Sequence, residues 1–507
     1  MPVKTPPLPD ARTVTDSIKT WATKNPRFAA LIGAGTPVVQ ALTRWSMELL
    51  RANQMADAAL VLRAALALSP GDAMLWTNYG VALNQENLPA DAAVCLERSL
   101  ELQRLQPDTW LLLGMVRKKL GDATAAETAY RAALQQDPNS TAAWQFLGLL
   151  KQEQRDYATA IDCLAKCSAA GGADAALLAN LGKLCYQLGR VAEAHDAYAR
   201  AVALDAGNLH YQRMARKCAF MAAMLRGEPM DAAIEAFKNS FRAEENYADK
   251  DLQDLFRAAF SLLSGFGHLD AAARVGHKQL ELWPANASVT YLLKAVEGDE
   301  DLDRSTPEYV VEYFDAFAEG FDAQLVDALG YDIPEKLCAA IRDVTPPEKL
   351  YDTFDAGCGT GLCGPLLRPL SKRLTGVDLS PKMLEMARRR AVYDAVACEE
   401  LTAFLRRSES QFDLIVAADV LIYFGDLAPI FSGAASALRS GGILAVSTES
   451  GSNTGYRLQP SGRFAHAVEY VRSCAKNNFD ELAFIETTIR LDASGRLPGN
   501  IFIFRKS

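Results

Sequence analysis

The sequence predicts two folds in one chain: an all-α solenoid of helical repeats, then an α/β domain with a mainly parallel sheet. Three observations carry this. Trp76, Trp110 and Trp144 stand 34 residues apart, and Leu178 continues the series. Beyond residue 350, short apolar runs alternate with helical patterns. The first of those runs ends in a glycine-rich turn, Asp355-Ala356-Gly357-Cys358-Gly359-Thr360-Gly361. At 507 residues the chain is too long for one ordinary domain.

The repeat is the stronger signal. Four positions after each Trp or Leu stands a glycine: Gly80, Gly114, Gly148 and Gly182. Ala92, Ala126, Ala160 and Ala194 follow, and four residues beyond each comes Leu96, Tyr130, Leu164 or Tyr198. One period earlier, Ala58, Leu62, Ala65 and Pro70 fit the template, with Ser46 in the glycine's place. Each unit reads as two antiparallel helices; small residues let them approach and large ones fill the space between neighbours. Pro70, Pro107 and Pro138 are expected to end second helices, since proline cannot continue one. The pattern decays beyond residue 208, where Asp231–Phe237 and Asp270–Pro284 are expected as second helices of two degenerate, capping units. It resembles tetratricopeptide repeats, which implies a concave groove for a protein or peptide. No Lys or Arg recurs at one position of successive units, so no clamp for an acidic tail is indicated.

The expected division is an N-terminal extension (1–38), repeats (39–208), degenerate helical repeats (209–297), a linker (298–307) and an α/β domain (308–507). The linker is inferred from Gly298–Pro307, which is acidic, polar and closed by proline. Half the residues are apolar and 23% charged, the composition of a folded protein. A net charge of −9 argues against a nucleic-acid partner, because no cationic excess exists to replace phosphate counterions. Ten cysteines without a Cys-x-x-Cys motif indicate neither a disulfide framework nor a metal site. No run approaches the ~18 apolar residues of a membrane span, and the proline-rich start, lacking a hydrophobic segment, is not expected to act as a leader. A cytoplasmic protein without a membrane partner is expected.

In the second half, strands are expected at Tyr351–Ala356, Arg373–Val377, Ala395–Cys398, Phe412–Ala417 and Gly442–Val446. Alternation with helices implies a parallel sheet covered on both faces. Ala483–Arg490 and Asn500–Arg505 are joined by a turn too short for a crossover, so they are expected as an antiparallel hairpin. Glycines between a strand and a helix let a ligand approach the backbone. Asp378, ending the second strand, is placed to accept hydrogen bonds from ribose hydroxyls. Gly359–Gly364 also matches the dinucleotide fingerprint GxGxxG, so a nicotinamide or flavin enzyme stays open at this point. The acid at Asp355 and the closing hairpin favour a methyl donor.

At these residues the chain resembles class I S-adenosylmethionine-dependent methyltransferases, over about 305–507. The resemblance implies a Rossmann-like, seven-stranded sheet with its last hairpin antiparallel, and S-adenosyl-L-methionine as cofactor. Asp355, Gly357, Cys358, Gly359 and Gly361 resemble the first motif, and Asp378 the ribose-binding acid, with Leu379 beside it. Met383 resembles the residue that packs on adenine, and Glu399 or Glu400 the acid that bonds its amino group. Asp413–Tyr423 resembles the fourth motif, which places Asp419 and Tyr423 on the methyl-transfer wall. His466 is read one turn into a helix after Gly462 and Arg463, with a substrate-side role. Asp419, Tyr423 and His466 are thus the catalytic candidates. Phe314, Phe317 and Phe321 recur at helical spacing, as a core face or a cover to the pocket. Residues 307–331 and Pro460–His466 resemble a narrower group, bacterial methyltransferases fused to tetratricopeptide repeats.

Transfer from a sulfonium needs orientation and exclusion of water rather than a metal; a base matters only where the nucleophile must lose a proton. The function implied is a methyltransferase whose repeats recruit a protein or protein-bound acceptor. A small-molecule methyltransferase using its repeats for assembly, and a non-catalytic interaction protein, remain open here.

Overall fold

The computed structural model describes residues 6–241, 247–299, 301–322, 331–346, 348–451, 454–492 and 495–507. The chain divides into two compact units, Met1–Ala215 and Arg216–Ser507.

The first unit is helical throughout. Five pairs follow the 34-residue period: Val38–Arg51 with Met55–Leu68, Ala73–Gln85 with Pro89–Leu102, Pro107–Lys119 with Ala123–Gln136, Thr141–Glu153 with Tyr157–Ala169, and Ala175–Gln187 with Val191–Leu204. The repeated residues touch as their sizes require. A Cβ on Gly80, Gly114, Gly148 or Gly182 would lie 2.9, 2.4, 2.9 or 2.8 Å from Leu96, Tyr130, Leu164 or Tyr198. The repeated tryptophan has its own cause. Its indole N–H bonds a carbonyl in the connection just before it: Trp76 to Pro70 O (2.9 Å), Trp110 to Arg104 O (3.1 Å) and Trp144 to Pro138 O (2.8 Å). One expectation is corrected. Pro107 does not end a helix but begins one, where a missing N–H costs nothing. The 1–38 extension holds two helices, Ala11–Lys24 and Pro26–Gly33, and Phe28 stacks on Trp45 at 4.5 Å to cover the first pair.

In the second unit, helices Met230–Asn239, Asp249–Gly265, Leu269–Leu282 and Ala287–Glu297 precede a nine-stranded sheet. Its strands are β1 Tyr351–Ala356, β2 Ser371–Asp378, β3 Ala395–Cys398, β4 Phe412–Ala417, β5 Leu438–Ser450, β6 Tyr456–Leu458, β7 Phe464–His466, β8 Phe479–Asp492 and β9 Gly495–Lys506. The order β3-β2-β1-β4-β5 is parallel throughout. β9 lies antiparallel to β5 and to β8, as the hairpin reading expected. Apolar side chains from both faces, Phe354, Phe431 and Phe502 on one and Leu374, Leu414 and Ile503 on the other, make a core on each side.

The sheet has nine strands rather than seven. β5 pairs with β4 through Val446, then with β7 at Glu449 and Ser450. The β6–β7 hairpin therefore continues the sheet past the carboxyl end of β4. His466 consequently ends a strand, not a helix; the helix begins at Val468. A three-residue strand is too short to show alternation.

The expected linker 298–307 is also corrected. Asp303 O accepts from Gly425 N (2.6 Å) and Asp426 N (2.9 Å), and Ser305 N donates to Tyr423 O (2.8 Å). Residues 303–305 are pinned along the turn after β4. Just before it, Tyr291 donates to Gly462 O (2.9 Å) and is buried with Tyr309, Leu458 and Phe464. The last helix of the 209–297 stretch therefore packs on the β6–β7 hairpin rather than serving only as a repeat cap.

Candidate functional site

Parallel strands bring their carboxyl ends to one edge, where ligands bind in open α/β sheets. The loops after β1, β2, β3 and β4 meet there around a cavity. One side is lined by Asp355, Gly357, Cys358, Gly359, Thr360, Asp378, Leu379, Glu399, Glu400 and Leu401. The other is lined by Tyr313, Phe314, Phe321, Tyr331, Asp419, Tyr423, Arg463 and Arg490.

The glycine turn is built by backbone requirements. Gly357 has φ +66°, and a Cβ there would sit 2.5 Å from Val420 Cγ2. Gly359 has φ +53° and opens onto free space. Gly361 does not line the cavity; its Cβ would press on Tyr393 and Arg390, so its role is packing. Asp378 holds the turn, accepting from Gly359 N (2.9 Å) and Ser380 N (2.8 Å). Burial pushes its carboxyl up, opposed by these N–H bonds. Asp355 is buried and accepts from Tyr393 OH at 2.6 Å. Burial pushes it up to about 7, against the lowering by that hydroxyl.

Two expected adenine contacts change. Met383 is fully buried and does not line the cavity; Leu379 and Leu401 supply the apolar wall. Glu400 lines the cavity, but its carboxylate caps the helix Leu401–Arg407 through Ala403 N (2.8 Å) and also binds the Thr402 hydroxyl. Glu399 lines it too and pairs with Arg407.

On the β4 side, Asp419 has φ +58°, a strained backbone for a non-glycine residue. It is held by its N–H on Ser447 Oγ (2.8 Å) and by Arg490, which bridges Asp419 (3.0 Å) and Glu449 (2.5 Å). The other carboxylate oxygen, Oδ1, is buried without a hydrogen-bond partner. Burial raises the Tyr423 phenol. Burial opposes the charge of Arg463, but the fields of Tyr423, Tyr313, Glu449 and Asp419 outweigh it and raise its pKa.

His466 stands outside the cavity lining. It is buried, its Nε2 lies 2.8 Å from Phe424 O, and burial lowers its pKa to about 4. A neutral histidine walled off in this way props the turn after β4, which corrects its substrate-side reading.

Helix Pro307–Phe317 lies over the cavity and supplies Tyr313 and Phe314, with Phe321 just beyond; the side chain of Phe317 falls outside what is described. The cover is latched by two acids that sequence reasoning missed. Asp315 accepts from Ser380 Oγ (2.5 Å), and Asp322 from Thr360 Oγ1 (2.5 Å) and Arg390. Arg463, Arg490 and Glu449 were missed as well. Their only signal is position: Arg463 in the Gly462–His466 run, Arg490 at the end of the first hairpin run, and Glu449 just beyond the expected fifth strand.

Comparison with known proteins finds two kinds of match along the chain. Residues 354–446 match the family described as a methyltransferase domain. Residues 43–108, 107–150 and 147–208 match tetratricopeptide repeat families. A malonyl-[acyl-carrier protein] O-methyltransferase of Serratia marcescens is 29% identical over 29% of this chain and 54% of its own length. A ubiquinone biosynthesis O-methyltransferase of Methylocella silvestris is 32% identical over 19% of this chain and 38% of its own. The chain thus spans about half the length, or less, of these relatives. Among solved structures, the N-methyltransferase NodS of Bradyrhizobium japonicum, in complex with S-adenosyl-L-homocysteine, overlaps 39% of this chain and 98% of its own at 18% identity and a TM-score of 0.33.

Proposed function

We propose, from the premise that a methyltransferase domain follows tetratricopeptide repeats in this chain, that the protein transfers the methyl group of S-adenosyl-L-methionine to an acceptor on the β4 side of the cavity. The observation that carries the reading is the turn Gly357–Gly359 locked to Asp378, a cradle that leaves a carboxylate facing the cavity. The residues fit the donor. Gly359 leaves room for close approach, and Asp378 stands where ribose hydroxyls would donate. The unpartnered Asp419 Oδ1 suits an ammonium or amide N–H. When bound, the donor supplies an already activated methyl group. The protein's own residues then orient the acceptor and keep water out, with Tyr313, Phe314 and Phe321 covering the site.

The relatives are named as O-methyltransferases acting on a carrier-bound acyl group or in ubiquinone biosynthesis, which supports an oxygen acceptor. We read the repeats as recruiting a protein, or a protein that carries the acceptor. Incubating the full chain with isotopically labelled donor and cell extract, then separating macromolecular from small-molecule label, tests both statements. Label in neither fraction contradicts the transferase reading. Label confined to free small molecules leaves the repeats a role in assembly.

A further inference from the structure

Cations and anions are unevenly matched on the acceptor side of the cavity. Arg490 is satisfied twice, by Asp419 and Glu449. Arg463 also lines the cavity, yet among the described residues no carboxylate stands within ion-pair distance of it; its neighbours there are the phenols of Tyr423 and Tyr313. It is placed by the β6–β7 hairpin, just after Gly462, whose carbonyl Tyr291 grips. Glu449 and Asp419, both paired with Arg490, reach it only through their fields. A partly buried guanidinium with no acid in contact gains from a ligand that supplies one, and its planar fork matches a carboxylate in two parallel bonds.

Proton-accepting groups point the same way. No histidine or lysine is among the described residues that line the cavity, and His466 is walled off behind the turn after β4. The acids Asp355, Asp378, Glu399 and Glu400 lie on the donor side. Asp419 is tied to Arg490 through Oδ2, and its unpartnered Oδ1 is the oxygen read above as taking an N–H of the donor. An acceptor that must lose a proton is poorly served here. One that is already an anion needs no base.

We infer that Arg463 receives a carboxylate of the acceptor and that the cavity methylates that carboxylate; this rests on the transferase reading above. An acceptor oxygen forms the new O–CH3 bond as the methyl–sulfur bond breaks, with that bond's electron pair passing to sulfur. The anionic carboxylate and the cationic sulfonium become a neutral ester and a neutral thioether, and no proton moves. Loss of the negative charge also removes the bond to Arg463, which favours release of the ester.

The test uses the full chain saturated with S-adenosylhomocysteine. Octanoate, succinate and benzoate are compared with their neutral amides by melting temperature. At least one carboxylate is expected to raise it while its amide does not, and Arg463→Gln is expected to erase the shift. Arg463→Lys, which keeps the charge and loses the fork, should retain part of it. 5′-Methylthioadenosine, which lacks the amino-acid portion of the donor, should bind wild type and Arg463→Gln alike and so reports an intact fold. With labelled donor and the carboxylate that shifts most, the transferred label should be released as methanol by mild alkali, as an ester methyl is. Label that resists alkali overturns the inference, as does a shift that is absent in wild type or unchanged in Arg463→Gln. So does a loss of S-adenosylhomocysteine affinity beyond about tenfold in Arg463→Gln with 5′-methylthioadenosine unaffected, because the guanidinium then holds the donor's own carboxylate. Failure of wild type to bind S-adenosylhomocysteine at all sinks the transferase reading itself, a separate outcome.

Discussion

The two units reach order by different routes. In the repeats, each defining contact lies within one unit or one connection: glycine against the large residue of its partner helix, tryptophan against the carbonyl just before it. In the second unit the contacts that shape the cavity join distant segments. Tyr291 and Gly462 are 171 residues apart, Arg490 and Asp419 71, and Asp322 and Arg390 68. A local architecture is approximately a sum of neighbouring terms, whereas a non-local one is lost as a whole when one distant segment is removed. The cavity therefore depends on helices that precede the methyltransferase match by more than fifty residues of chain.

The largest expected effect comes from cutting the chain. A fragment 209–507 should melt cooperatively. A fragment 306–507, which loses Tyr291 and the pairing of 303–305, should show no cooperative transition in calorimetry. Equal melting of the two fragments would break the contrast drawn above.

Point changes should sort by region. Gly357→Val adds a side chain against Val420 at a positive φ and should abolish S-adenosylhomocysteine binding by titration. Gly182→Ala presses on Tyr198 and should cost about 1–3 kcal/mol of stability, the scale for overpacking, while leaving that affinity unchanged. A change in affinity from the repeat variant would contradict the independence of the donor site. Asp378→Ala should weaken binding by roughly 1.5–3 kcal/mol, the scale for hydrogen bonds to a charged group.

The smallest effect is a pH dependence. Asp355 has a folded pKa of about 7, above its ordinary value of 3.8, so the folded state binds the extra proton between those values. Its contribution is fully present below about pH 4 and is lost as pH rises through 7. Chemical denaturation of wild type and Asp355→Asn from pH 4 to 8 should show a wild-type decline, relative to the variant, across that window. A relative rise would contradict the burial of the charge.

The same difference in contact range explains what was legible in the residues. The repeat period, the five parallel strands, the closing hairpin and the glycine turn all have local signatures, and each stands where it was expected. Met383 and Glu400 were placed by analogy of position, and their side chains turned to packing and to capping a helix. His466 was misread because a three-residue strand followed directly by a helix carries no period of its own. Residues 303–305 read as part of a linker because their bonds to the turn after β4 are made by backbone atoms, which no side chain announces. The Glu449–Arg490–Asp419 bridge, the latch acids and Arg463 gain meaning only from partners far along the chain.

On the transferase reading, the second unit alone builds a complete donor site. Titration of S-adenosylhomocysteine into the full chain and into the folded 209–507 fragment tests it most directly. The same affinity is expected for both, one ligand per chain, undisturbed by NADH. A fragment that melts cooperatively yet fails to bind, or a ligand displaced by NADH, would contradict it.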